Sequence, residues 1–233
     1  MISHKHKCIF IHVPKAAGTS IERVFLDDLG LDMNNRHSLL LGANNNLSLG
    51  PRRVSHLSGS DYVNHHYISE ELFNSYFKFA FVRNPYSRLF STYKFLNFGT
   101  YMRFDTFVQK KLKDLTNSKS LGFFVKPAYE YLYNAQGELL VDFVGKFEYL
   151  EDDFKVVKEN LGLTTELKHF NKTEKGKGLK YKLSILRKIL KDYRMFDRLT
   201  YSNPNYSVDR DSQSIIIDFY RKDFEAFGYD IEP

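Results

Sequence analysis

The chain has 233 residues, 42% of them hydrophobic and 16% aromatic, all Phe and Tyr, with a net charge of +6 and a pI near 9.1. That is enough apolar material for a real core, and it excludes a disordered chain. The single cysteine, Cys8, excludes an internal disulfide and a cysteine metal cluster. A basic balance suits an anionic ligand (nucleotide, nucleic acid, acidic sugar or acidic membrane surface), although solubility alone would also account for it. The first apolar run is too short for a signal segment, and no later run nears the ~20 apolar residues of a membrane span. These features read as a cytoplasmic protein with no metal site.

KCIFIHV, at 7–13, reads as a buried strand stopped by Pro14. Gly18 to Leu29 reads as a helix, with Ile21, Val24, Phe25 and Leu29 on one face and Gly30 as its stop. Residues 32–50 carry Asn and Gly without a sustained period and read as a loop. RRVSHLS, at 52–58, is a second candidate strand, and SEELFNSYF a Ser-capped helix. KFAFVRN is a third strand. Pro85 then opens a helix at its favoured first turn. FDTFVQKKLKDL is a further amphipathic helix, LLVDFVGKF a fourth strand, YLEDDFKVVKENLG a helix ending at Gly162, and SQSIIIDFYRKDFEAFGYD a C-terminal helix. Strands alternating with helices predict a single α/β domain over 1–233 with a mainly parallel sheet flanked by helices. The stretch 168–194 holds ten Lys or Arg against two acids, and GKG at 176–178 makes its first half read as a mobile loop.

HVPKAAGTS, at 12–20, joins the first strand to the first helix. Free N–H groups and the helix dipole gather positive potential at such a junction. Ala16, Ala17 and Gly18 let the backbone approach a phosphate closely, Thr19 and Ser20 add hydroxyl donors, and Lys15 adds a mobile charge. Here the Lys precedes the Gly, whereas the nucleotide-triphosphate loop reads G-x-x-x-x-G-K-[ST]. On its own the pattern would also fit a capped helix beside a solvated lysine.

PKAAGTS resembles the 5′-phosphosulfate loop of sulfotransferases that use 3′-phosphoadenosine 5′-phosphosulfate (PAPS). That resemblance calls for a second site, for the 3′-phosphate, at another strand end. FAFVRNPYSRLFSTYKF, at 79–95, matches the family pattern V-R-[ND]-P-x-x-R-x-x-S-x-[YF] at Val82, Arg83, Asn84, Pro85, Arg88, Ser91 and Tyr93. Arg83 ends its strand, where open α/β sheets bind ligands, and its donor fork fits a phosphate. Arg88 and Ser91, three apart, are expected to share a helix face, with Ser91 turned to the same phosphate as Arg83. The chain is most similar to the carbohydrate-type, family-2 sulfotransferases in a bacterial-like soluble form. GKFEYLEDDF and HFNKT resemble two later family segments, and the second places Lys172 and Thr173 near the cofactor. VKPAYEYLY carries Ala128 where relatives commonly have Gln, so acceptor contacts do not carry over.

The resemblance implies a P-loop-kinase-like sulfotransferase fold. It also implies in-line transfer of a sulfuryl group from PAPS to a hydroxyl of a carbohydrate or glycolipid, leaving 3′-phosphoadenosine 5′-phosphate (PAP). The chemistry parallels phosphoryl transfer. Lys15 would neutralise the leaving phosphate oxygen, helped by the loop N–H groups. The acceptor proton calls for a His or a carboxylate. VSHLSG resembles the family's K-H-x-[ST] segment and selects His56, with His65, His66 and Asp61 as rivals. His12 reads as a packing or supporting residue, and His37 carries no weight. Three other readings stay open: a nucleotide kinase or NTPase, a nucleic-acid-binding protein, and a catalytically inactive PAPS- or PAP-binding protein.

Overall fold

The computed structural model describes residues 1–32, 34–167 and 208–233. They fall into two compact units, Met1–Asn84 with Pro127–Phe170, and Pro85–Lys126 with Asn171–Pro233, each taken over its described residues. The helices are α1 (Gly18–Asp28), α2 (Gly59–Asn64), α3 (Glu70–Ser75), α4 (Pro85–Phe95), α5 (Phe104–Thr116), α6 (Tyr129–Leu132), α7 (Leu150–Leu161) and α8 (Arg210–Phe227).

The first unit holds a four-stranded sheet, β1 (Ile2–Ser3), β2 (Cys8–Ile11), β3 (Phe77–Val82) and β4 (Phe143–Lys146), in that spatial order. β1 runs antiparallel to β2. The other pairs are parallel, with Ile11 beside Ala80 and Val82 beside Lys146. The fold is therefore α/β with a mainly parallel sheet. All of β2 and all but the first residue of β3 are buried, which is why both read as unbroken apolar runs. Gly145 in β4 is required by packing: a Cβ there would lie 2.4 Å from the Phe81 ring.

RRVSHLS is not a strand. Val54–His56 forms a single 3₁₀ turn, and the β pairing at Arg53 is an isolated bridge to Ala43. Val54 and Leu57 are buried, but the two arginines of the run are exposed. The place beside β2 is taken by β1, whose two residues are too few to give a periodic signal. His6 fastens this N-terminal hairpin to the end of α1, with Nδ1 2.6 Å from Ser3 Oγ and Nε2 2.9 Å from Asp28 Oδ2. Lys5 reaches the same carboxylate, so two basic side chains sit at the negative end of the helix dipole.

Start signals act as the sequence implies. Ser69 accepts from the Leu72 N–H at α3, and Asp209 from Ser212 at α8. Gly162 closes α7 with φ +63.

The second unit packs α4, α5 and α8 around an aromatic core that includes Tyr86, Tyr93, Phe104, Phe107, Tyr220 and Phe224. Buried phenols here donate to carbonyls: Tyr93 to Met102 O at 2.6 Å and Tyr220 to Val125 O at 2.8 Å. Here Arg88 departs from expectation. It is 1% exposed, with Nη2 3.0 Å from Lys126 O and 3.4 Å from Asp223 Oδ2, and it lies over the Tyr220 ring. Arg88 thus belongs to the core of this unit, whereas Ser91, three residues on, is half-buried. Among the described residues no helix is long and apolar enough to cross a membrane.

Candidate active site

β2 and β3 are parallel neighbours, so their C-terminal ends lie side by side. The first loop leaves β2 at His12 and enters α1 at Gly18. Lys15 and Ala17 both hold φ +68, left-handed backbone that non-glycine residues adopt uncommonly. Left-handed residues set into a turn aim successive N–H groups into a concavity that favours anions. No side chain caps the start of α1. A donor-rich, uncapped helix start with a half-buried Lys15 beside it is the local chemistry a phosphate fits. Ala16 and Ser20 are buried, Ala17 is half-buried and Thr19 is exposed.

Arg83 follows β3 and meets this loop, with Nη1 3.4 Å from the Lys15 carbonyl. Its guanidinium stacks on the Phe147 ring at 4.1 Å, a contact that fixes the plane of its fork. The next residue, Asn84, donates its N–H to Glu148 Oε1 at 2.9 Å. Phe147 and Glu148 are the middle of GKFEYLEDDF, so that segment steadies the β3 end. The motif match was visible in the sequence; the job of these two side chains was not, because the stacking and the cap join residues 64 apart.

Gly18 is small for a reason other than phosphate approach. A Cβ there would lie 1.8 Å from His12 Nε2, so the imidazole occupies the space of the missing side chain. The ring cannot step aside: it is buried, and its Nδ1 is 2.6 Å from Glu22 Oε1. Burial alone would push the Glu22 carboxyl up, but the charge and hydrogen bond of His12, with smaller contributions from the N-terminal amine and then Arg36, leave it below the ordinary carboxylate value. Glu22 is therefore an ionised acceptor, and His12 Nδ1 carries the proton between them. Gly18→Ala is expected to cost about 1–3 kcal/mol through overpacking and to distort the loop. A melting scan with and without PAP reads both effects.

His56 lies against His12, ring centroids 4.4 Å apart, with Nδ1 3.2 Å from the His12 carbonyl. A carbonyl only accepts, so His56 Nδ1 is protonated and Nε2 carries the lone pair. Burial, then the electrostatic influence of His12 and Arg53, pushes His56 down to about 2, against the opposing bond to the His12 carbonyl. The imidazole is neutral at working pH.

The rivals are placed differently. Asp61 Oδ2 accepts from Ser58 N at 2.8 Å and so caps α2. His65 and His66 close that helix, His66 exposed and with φ +56. The structure thus gathers Lys15, Gly18, His12, His56 and Arg83 in the first unit, while Ser91 belongs to the second. Lys172, Thr173 and the basic stretch 168–194 lie outside the described residues.

An uncharacterized protein of Archaeoglobus fulgidus is 30% identical over 106 residues, covering 43% of this chain and 79% of its own length. Human carbohydrate sulfotransferase 9 is 26% identical across 98% of this chain. The chain spans about half the length of that human protein, 52%. No solved structure matches significantly. The model of the Sulfotransferase family covers residues 1–230, taking in both strand-end loops, and the chain belongs to that family.

Proposed function

We propose that this protein is a PAPS-dependent sulfotransferase that sulfates a hydroxyl of a carbohydrate or glycolipid. The observation that carries the reading is the pairing of the left-handed Lys15–Ala17 loop with Arg83 across adjacent parallel strand ends. PAPS, when bound, supplies the sulfuryl group. Lys15, the N–H groups of residues 16–19 and the Ser20 hydroxyl hold its 5′-phosphate end and offset the charge that grows on the leaving oxygen. Arg83 holds the 3′-phosphate, and the family motifs assign Ser91 and Lys172 to the cofactor as well. His56 takes the acceptor proton on Nε2. In the ligand-free protein it is a weak base; beside a bound anion its proton affinity rises, because opposite charge favours the protonated form. The carbohydrate acceptor is supported by the likeness to human carbohydrate sulfotransferase 9.

PAP is expected to raise the melting temperature, and ATP at equal concentration to do so much less, because only PAP carries a 3′-phosphate. Equal stabilisation by both removes the 3′-phosphate site and the sulfotransferase reading with it. Arg83→Ala is expected to weaken PAP binding by about 1.5–3 kcal/mol, the usual worth of a charge-assisted hydrogen bond. Arg83→Lys should fall well short of rescue, since a point charge cannot reproduce the stacked fork. Calorimetric titration measures both. A labelled-PAPS transfer screen over glycans and small alcohols identifies the acceptor.

A further inference from the structure

Beneath the first loop lies a buried chain of contacts that the transfer reaction does not itself call for. Glu22 sits one turn into α1, 7% exposed, and holds His12 Nδ1 at 2.6 Å. The other edge of the His12 ring fills the side-chain space of Gly18. One face of His12 meets Phe10, with centroids 5.5 Å apart and planes 19° from parallel. The ring also meets His56, with centroids 4.4 Å apart. The backbone of His12 then accepts the Nδ1–H of His56. A neutral imidazole can take a proton on only one nitrogen, so whatever fixes the Nδ1 donor decides which nitrogen faces the acceptor hydroxyl.

We propose that Glu22 is a positioning residue for His56, acting through His12. The Glu22 carboxylate clamps the His12 ring between Gly18 and His56. The His12 carbonyl, held in place by that clamp, keeps His56 in the Nδ1–H tautomer with Nε2 as the proton-accepting nitrogen. One buried carboxylate thereby joins the anion loop to the base, because the clamped ring touches Gly18 on one side and His56 on the other. An apolar residue at 22 would fill the same space but would leave the His12 Nδ1–H buried without an acceptor, and the ring would turn to find one. The inference rests on the sulfotransferase reading for its consequence in turnover, but its geometry does not.

The test uses the full chain with ¹⁵N-labelled histidine and saturating PAP. The His56 ring signals are identified by their loss in His56→Ala. The wild type should show a single Nδ1–H tautomer at His56. Glu22→Ala should give a mixture of tautomers and a kcat lower by on the order of 10- to 100-fold, the scale of a misplaced reacting group, with PAP affinity little changed. Glu22→Gln keeps an oxygen for the His12 Nδ1–H and should fall between the two. A merely structural Glu22 would lower the melting temperature and leave both the His56 tautomer and kcat of the folded fraction as in the wild type; that result overturns the proposal. So does a wild-type His56 protonated on Nε2. If Glu22→Ala does not fold, Glu22→Gln decides by the same ring signals. A wild type that binds no PAP refutes the sulfotransferase reading instead, and the ring signals, then recorded without PAP, still decide the role of Glu22.

Discussion

His56→Ala is expected to lower turnover by ~10²–10⁴, the range for a lost general base, while PAP affinity stays nearly unchanged. The reasoning is geometric. His56 sits on a short turn, and its Nδ1–H is held by the His12 carbonyl where the first loop leaves β2, ahead of the residues proposed to hold the phosphate. Lys15→Ala should differ in kind, damaging cofactor binding and turnover together. A His56→Ala variant with near wild-type turnover moves the base to His65 or His66, because Asp61 is spoken for by the start of α2. Loss of PAP binding in that variant makes His56 a cofactor ligand or a structural residue.

The same residue gives a stability prediction with a definite sign. Its folded-state pKa is pushed down to about 2 from an ordinary value of 6.5. Below about pH 6.5 the unfolded chain takes up a proton that the folded chain refuses, so this group makes the protein less stable as the pH falls through that range. His56→Ala should therefore flatten the acid side of the melting-temperature profile. An unchanged slope would mean that His56 is already protonated in the fold.

Local signals were legible where a single element carried them. The β2 apolar run, the small residues of the first loop and the α1 face are contiguous, and the structure places them within a residue or two of the pattern. The Pro85 start of α4 and the glycine stops at 162 and 228 are equally local. RRVSHLS misled because a short run with Val and Leu set among polar residues reads as half-buried, and Val54 and Leu57, three apart, are buried on a 3₁₀ turn rather than on a strand. β1 carried no signal because it is two residues long. The site was half legible. Motif spacing marked Lys15, Gly18 and Arg83, but not the side chains that hold them: Phe147 lies far along the chain from Arg83, and Glu22 reaches the loop through His12 by a contact that no motif position announces. Gly18 shows the difference well. Its smallness was read as room for a phosphate, and the structure adds a buried imidazole that only the tertiary fold brings there.

Arg88 is the position where motif and structure diverge most, and Arg88→Ala is expected to destabilise the protein by about 3–5 kcal/mol, the scale for breaking a buried pair from one side. Arg88 and Asp223 are each 1% exposed. Truncation takes the guanidinium away from the buried Asp223 carboxylate and from the Tyr220 ring, and leaves a void where it lay. It also removes the donor to Lys126 O. The pair is not a perfect fit even when intact, since Arg88 Nε and Nη1 are buried without hydrogen-bond partners. That imperfection makes the double replacement informative. Arg88→Met combined with Asp223→Leu removes both charges and keeps most of the volume, and it should recover most of the loss. Urea titration of the two singles and the double supplies the cycle. The variants also separate two roles for the motif arginine. If Arg88 organises the α4–α8 core, folded Arg88→Met/Asp223→Leu protein binds PAP with near wild-type affinity. If it reaches the 3′-phosphate instead, PAP binding collapses while the melting temperature barely moves.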